Sequence, residues 1–287
     1  MAPVNQGYLR EDEMIEFLNN KKVANLSSNL RSLLVSLFGV VDPEEVIKCE
    51  YGVEFTKPDF VITYKGTKKY VSMKSGNATI VHSEQVETFI PFLRSIGISE
   101  ETLKTILLHQ YGDGTTKGTG KKRYNNREVY KWLELRIRMA NDELNQMPII
   151  EKVINRAIFQ GVLNDVPPAD AIYHGNYESG YVATKQQIMV HLEKKDWSFF
   201  ENLHCGPLLI RPHARYVDME IRNPYQRNKL VLYWPKMKED IKYISSAYNN
   251  YISARYLDQI EEEVCKESNG TLPRKKGLFS WVKNRRW

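Results

Sequence analysis

A short apolar hairpin constrains this chain more than any other stretch. Phe60-Val61-Ile62-Thr63-Tyr64 and Lys69-Tyr70-Val71-Ser72-Met73 flank Lys65-Gly66-Thr67-Lys68, with Pro58-Asp59 just before and Lys74-Ser75-Gly76 just after. Reading Gly66-Thr67 as a two-residue loop with glycine first predicts a type II′ turn. Lys65 then pairs with Lys68, and counting outward sets Asp59 opposite Lys74. Opposed residues share a face of a sheet, and so do residues two apart. Asp59, Ser72 and Lys74 are therefore expected on one face, with Ile62, Val71 and Met73 on the other. A one-residue slip would separate the two sets.

An acid and an amine side by side on rigid strands suit phosphodiester hydrolysis. That reaction uses a hard cation, held by one or two carboxylates, to neutralise the phosphate. A neighbouring lysine orients the attacking water or meets the charge that develops. Asp59 and Lys74 are the residue types for those roles.

Pro58-Asp59, a hairpin and then Lys74 resemble the PD-(D/E)xK nuclease superfamily, which includes most type II restriction endonucleases; the similarity spans residues 10–112. Met73-Lys74-Ser75-Gly76 is similar to the Lys-Ser-Gly run that follows the catalytic strand in several of them. The order of elements resembles that family's core as well. A leucine-rich helix, Ser28 to Phe38 and ended by Gly39, precedes a strand at Val46-Ile47-Lys48-Cys49-Glu50. After the hairpin come a helix from about Ser83, with Ser83 as N-cap, and a closing strand at Thr105-Ile106-Leu107-Leu108-His109-Gln110. The resemblance implies an α/β (α+β) fold with a restriction-endonuclease-like core, a mixed central sheet flanked by helices. It further implies a Mg²⁺-dependent endonuclease (Mn²⁺ a substitute) that cuts a specific site in double-stranded DNA and leaves a 5′-phosphate. A homodimer, and a cognate methyltransferase in the same system, belong to the same picture.

Ser72 departs from the family pattern, which has Asp or Glu two residues before the lysine. A subgroup of restriction enzymes reads Ser-x-Lys and takes its second acid from the helix that follows. Glu87 sits at that spacing, beside the buried stripe Val86, Phe89, Ile90 and Leu93, and Glu84 is the competing candidate. By resemblance, Asp59 and Glu87 (or Glu84) would bind metal, with the Met73 carbonyl as a further ligand and Lys74 beside the water. Glu13 or Glu16 could supply a first-helix acid, and Glu50 and Glu54 stand just upstream of the hairpin. The same departure supports a rival reading, a DNA-binding protein on this fold that has lost catalysis. A third keeps the nuclease but makes it a structure-selective or defence enzyme.

The net charge of +6 favours a polyanionic partner. Lys117, Lys121, Lys122, Arg123 and Arg127 crowd into and after the Gly-rich stretch 112–120, where they could follow a nucleic-acid backbone. Arg211 and Arg215 alternate with apolar residues and join Ser72 and Ser75 as candidate DNA contacts. The tail interleaves Arg274, Lys275, Lys276, Lys283, Arg285 and Arg286 with Phe279, Trp281 and Trp287. No apolar run reaches membrane-spanning length, and three widely spaced cysteines suit reduced thiols, so a cytoplasmic protein is expected.

Beyond the loop the pattern turns helical over 129–139 and 149–158, with Pro148 near the start of the second helix. Tyr173 to Tyr177 reads as irregular, Gln186 to Leu192 as helix, and Leu208–Pro212, Arg215–Ile221 and Leu230–Trp234 as strands. Lys236 to Val264 reads as one long helix or two shorter ones. The expected organisation is a catalytic core over 1–112 and a basic loop over 113–127. A helical region with a small mixed subdomain for recognition and dimerisation comes next, over 128–267, then a basic aromatic tail over 268–287.

Overall fold

The computed structural model describes residues 6–249, apart from 54–56, 77–78, 121–122, 164, 198–201 and 214–223. The chain is of mixed α/β class, built as a mixed sheet with helices on both faces. The elements that position the site all belong to one compact unit, which ends at Ser245.

Helix α1 (Gln6–Leu18) leads through β1 (Lys21–Lys22) to α2 (Ser28–Phe38), which stops at Gly39 as its sequence predicts. Strands β2 (Val46–Tyr51), β3 (Phe60–Tyr64), β4 (Thr67–Lys74) and β5 (Ile80–Gln85) come after it. Helices α3 (Val86–Ser95), α4 (Glu100–Tyr111), α5 (Asn126–Leu144) and α6 (Met147–Ile154) are next, and α6 runs into a π-helical turn at Asn155–Gln160. Then come β6 (Ala171–Gly175), β7 (Gly180–Thr184), α7 (Lys185–Glu193), β8 (His204–Cys205), β9 (Leu208–Pro212), the short α8 (Pro224–Arg227) and β10 (Lys229–Tyr233). Residues 237–245 are helical.

The first sheet has six strands in the order β1-β2-β3-β4-β6-β7, all antiparallel neighbours except the parallel pair β4–β6. One face packs Phe60, Ile62, Val71, Met73 and Tyr173 against Leu18, Leu30, Leu33 and Leu34 of α1 and α2. Ile172 and Ala183 on the opposite face join a larger core with α3 to α7 and the second sheet, β5-β10-β9-β8. Burying both faces accounts for the near-continuous apolar run of β3.

The structure corrects four expectations. The hairpin loop is Lys65-Gly66, both with positive φ (47° and 77°), the type I′ arrangement that suits strand twist. Tyr64 therefore pairs with Thr67 and Phe60 with Val71, and the next step outward faces Asp59 with Ser72 instead of Lys74. The error is two residues, so the face assignment survives. The helix expected from Ser83 begins at Val86, because Ile80 to Gln85 pairs with β10 as a strand. Thr105 to Gln110 is helical, not a closing strand: Ser99 caps the Thr102 amide at 3.3 Å and Gly112 ends the helix in the left-handed region. Tyr173 and His174 are strand, within β6, which pairs with β4 from Val71–Ala171 to Lys74–His174. Residues on both sides of position 112 thus build a single sheet. The expected strand at 215–221 and the basic aromatic tail lie outside the described residues.

Candidate active site

The chain crosses itself where β2 leaves the sheet and β3 begins. Gly52 donates its amide to the Asp59 carbonyl at 3.1 Å, and the Asp59 amide donates to the Val71 carbonyl at 2.9 Å. A Cβ on Gly52 would overlap the Pro58 carbonyl oxygen, so only glycine lets the backbone pass this closely. The crossing aims the Asp59 side chain at the end of β4. There Oδ2 accepts the Ser72 hydroxyl at 3.1 Å and the Met73 amide. Among the described residues Oδ1 accepts no hydrogen bond. Lys74 ends β4 one alternation beyond Ser72, and both Asp59 and Lys74 open onto a cleft of about 390 Å³.

Lys57, His82, Gln160 and Gly161 share that cleft. Lys57 donates to the Val81 carbonyl at 2.6 Å, and its stem lies against Gly161. Burial, then the neighbouring Lys74 charge, push its pKa down to about 7, while Asp59 opposes them. On the other side of the hairpin, Tyr51 donates to Asp12 at 2.9 Å and fastens α1 along β2. Glu11 on that helix is pushed up to about 7 by burial and then by the Asp59 carboxylate, with Lys74 opposing. Glu11, Asp59 and Lys74 therefore share one electrostatic neighbourhood.

The acids expected to complete the site are placed otherwise. Glu87 is exposed in the first turn of α3, where it accepts the Asn228 side chain at 2.7 Å. It does not line the cleft with Asp59. Glu84 is buried on β5, held by Arg156 (Nε at 3.0 Å) and by His82 Nε2 at 2.8 Å. Burial alone would raise its pKa; the hydrogen bonds from His82 and Arg156 outweigh that and bring it down to about 2. Glu13 and Glu16 are exposed, Glu50 pairs with Lys68 at 2.9 Å, and Glu54 lies outside the described residues.

Of the candidate DNA contacts, Ser72 is buried beneath Asp59 and Ser75 is half-buried just past β4. Lys117 is exposed on a loop drawn together by Asp113, which accepts the Thr115 and Gly120 amides and Arg227. Arg123 is buried, donating to the carbonyls of His109 and Gln110 that close α4. That position keeps it from a phosphate. Arg211 lies 4.8 Å over the Tyr233 ring, and Lys121, Lys122 and Arg215 lie outside the described residues.

No group of three or more His, Cys, Asp or Glu side chains that could hold a metal occurs among the described residues. Asp59 with Glu11 supplies two carboxylates, near enough that the Asp59 charge raises the proton affinity of Glu11. A hard divalent ion bound mainly by water and phosphate oxygens needs no more than that from the protein, so the donor set fits Mg²⁺. Sequence reasoning missed Glu11, Lys57 and His82. Lys57 was within reach of it, since it lies one alternation before Asp59.

No family model and no curated protein matches the chain by sequence. Among solved structures it is similar to restriction endonuclease MspI in complex with its cognate DNA, with 12% sequence identity and a TM-score of 0.49. The match covers 79% of this chain and 86% of that one.

Proposed function

We propose that this chain is a metal-dependent endonuclease that hydrolyses DNA phosphodiester bonds, cutting a specific double-stranded site in the manner of a type II restriction enzyme. The observation that carries the reading is the opening of Asp59 and Lys74 onto one cleft, with Glu11 in electrostatic reach of both. Asp59 and Glu11 would hold Mg²⁺ or Mn²⁺, and the Met73 carbonyl remains a proposed further ligand. The ion, when bound, neutralises the phosphate and lowers the pKa of a coordinated water. Ser72 and the Met73 amide fix the rotamer of Asp59, as a ligand requires. Lys74 orients the attacking water and meets charge on the phosphate, and Lys57 adds a second cation to the same wall. A net charge of +6 supports a polyanionic substrate.

Plasmid DNA incubated with Mg²⁺ tests the reading beside Asp59→Ala and Lys74→Ala. Discrete fragments from the wild type alone support it, and equal cutting by all three proteins removes the assignment. The second reading, DNA binding without catalysis, is favoured by Ser72, which stands where the family carries an acid. Salt-sensitive DNA binding without cleavage under Mg²⁺ or Mn²⁺ would select it.

A further inference from the structure

The proposed hydrolysis still needs a group to accept the proton of the attacking water. His82 lies on β5 and lines the cleft shared by Asp59 and Lys74. Arg156, carried by the π-helical turn, binds Glu84 through Nε and Nη2 and holds it ionised. An ionised carboxylate only accepts hydrogen bonds, so His82 Nε2, 2.8 Å from Glu84 Oε2, must carry the hydrogen. A neutral imidazole has one N–H, which leaves Nδ1 with its lone pair. Nδ1 takes no hydrogen bond among the described residues.

We propose that His82 is the general base of this site, with Nδ1 as the accepting atom and with Glu84 and Arg156 as positioning residues. The inference rests on the nuclease reading. The water oxygen forms a bond to phosphorus as its proton passes to Nδ1. The bond from phosphorus to the 3′ oxygen breaks, the electron pair leaves on that oxygen, and a solvent water protonates it. The imidazolium, stabilised by Glu84, then returns its proton to solvent. Burial lowers the pKa of His82, Lys57 and Arg156 act in the same direction, and Glu84 opposes them. These are the charged groups that face it, from β5 itself, the segment before β3 and the π-helical turn; Asp59 and Lys74 share the cleft. The base form therefore prevails at neutral pH.

His82→Gln keeps an N–H for Glu84 and replaces the basic nitrogen with an amide that cannot take up a proton. Single-turnover cleavage should fall about 10²–10³-fold, with DNA affinity unchanged within about twofold. The wild-type rate should decline on acidification below pH 6.5, and the variant should lose the His82 part of that limb while keeping any part set by Glu11. Imidazole ¹⁵N shifts of the wild type should show Nε2 protonated and Nδ1 bare, a readout independent of turnover. Cleavage by His82→Gln at the wild-type rate overturns the role of His82 alone, as does the reverse tautomer. A wild type that cuts nothing removes the nuclease reading and this inference with it. If His82→Gln fails to fold, the wild-type profile decides: a rate that stays flat below pH 6.5 overturns the proposal.

Discussion

Ser72 donates its hydroxyl to Asp59 Oδ2 at 3.1 Å from the facing strand, so it holds the acid in place where the related pattern would supply a second one. Ser72→Asp would set two carboxylates against each other in a buried position. We expect a lower melting temperature than wild type in EDTA and a larger rise on adding Mg²⁺, read by calorimetry with and without the ion. An equal response of the two proteins to Mg²⁺ would argue against an ion at Asp59.

Gly52→Ala probes the backbone crossing. Its Cβ would overlap the Pro58 carbonyl oxygen, and the neighbouring backbone must shift to admit it. A cost of about 1–3 kcal/mol is the usual range for such overpacking. Urea denaturation should show it, together with weakened cleavage because Asp59 moves with Pro58.

The buried Glu84 sets an acid limit on stability. Its folded pKa, about 2, lies below the ordinary 4.5, so its contribution is complete above pH 4.5 and is lost as pH falls toward 2. Asp240 follows the same sign. Burial would raise its pKa; His191, 3.5 Å away, and hydrogen bonds from Lys195 and Trp234 bring it down to about 2. Glu84→Gln should therefore flatten the acid limb of unfolding free energy without abolishing it. Arg156→Met leaves the carboxylate buried without its cation, with His82 as a remaining partner, at a cost of up to about 3–5 kcal/mol.

Lys57 is buried at a cost in stability. Its folded pKa of about 7 lies below its ordinary 10.5, so folding releases its proton and stability rises with pH between those values. Lys57→Met should raise the melting temperature at pH 6 and remove that rise. The same substitution should weaken DNA binding and reduce the salt slope of log Kd by about one. An unchanged slope would show that Lys57 makes no phosphate contact.

Much of the site was legible because parity is local. A two-residue error in register leaves every side chain on its face, so Asp59, Ser72 and Lys74 stayed together although the turn was misread. The turn itself was ambiguous, since Gly66 fits either loop, and only the positive φ of Lys65 decides it. Strand β6 was hidden because its pairing with β4 is parallel and far off in sequence. The run Ile106-Leu107-Leu108 is apolar enough to read as a strand, and the capping of α4 at Ser99 was the overlooked signal. Glu11 could not be chosen over Glu13 or Glu16 from spacing alone. Its place depends on how α1 lies along β2, which Tyr51 and Asp12 fix.

The most direct test of the central claim is anomalous scattering from crystals grown with Mn²⁺ and a DNA duplex. The account predicts a peak bounded by the carboxylates of Asp59 and Glu11, with a phosphate oxygen in its coordination shell and Lys74 beside it. A peak at Glu87, or ordered DNA in the cleft with no ion near Asp59, would contradict it.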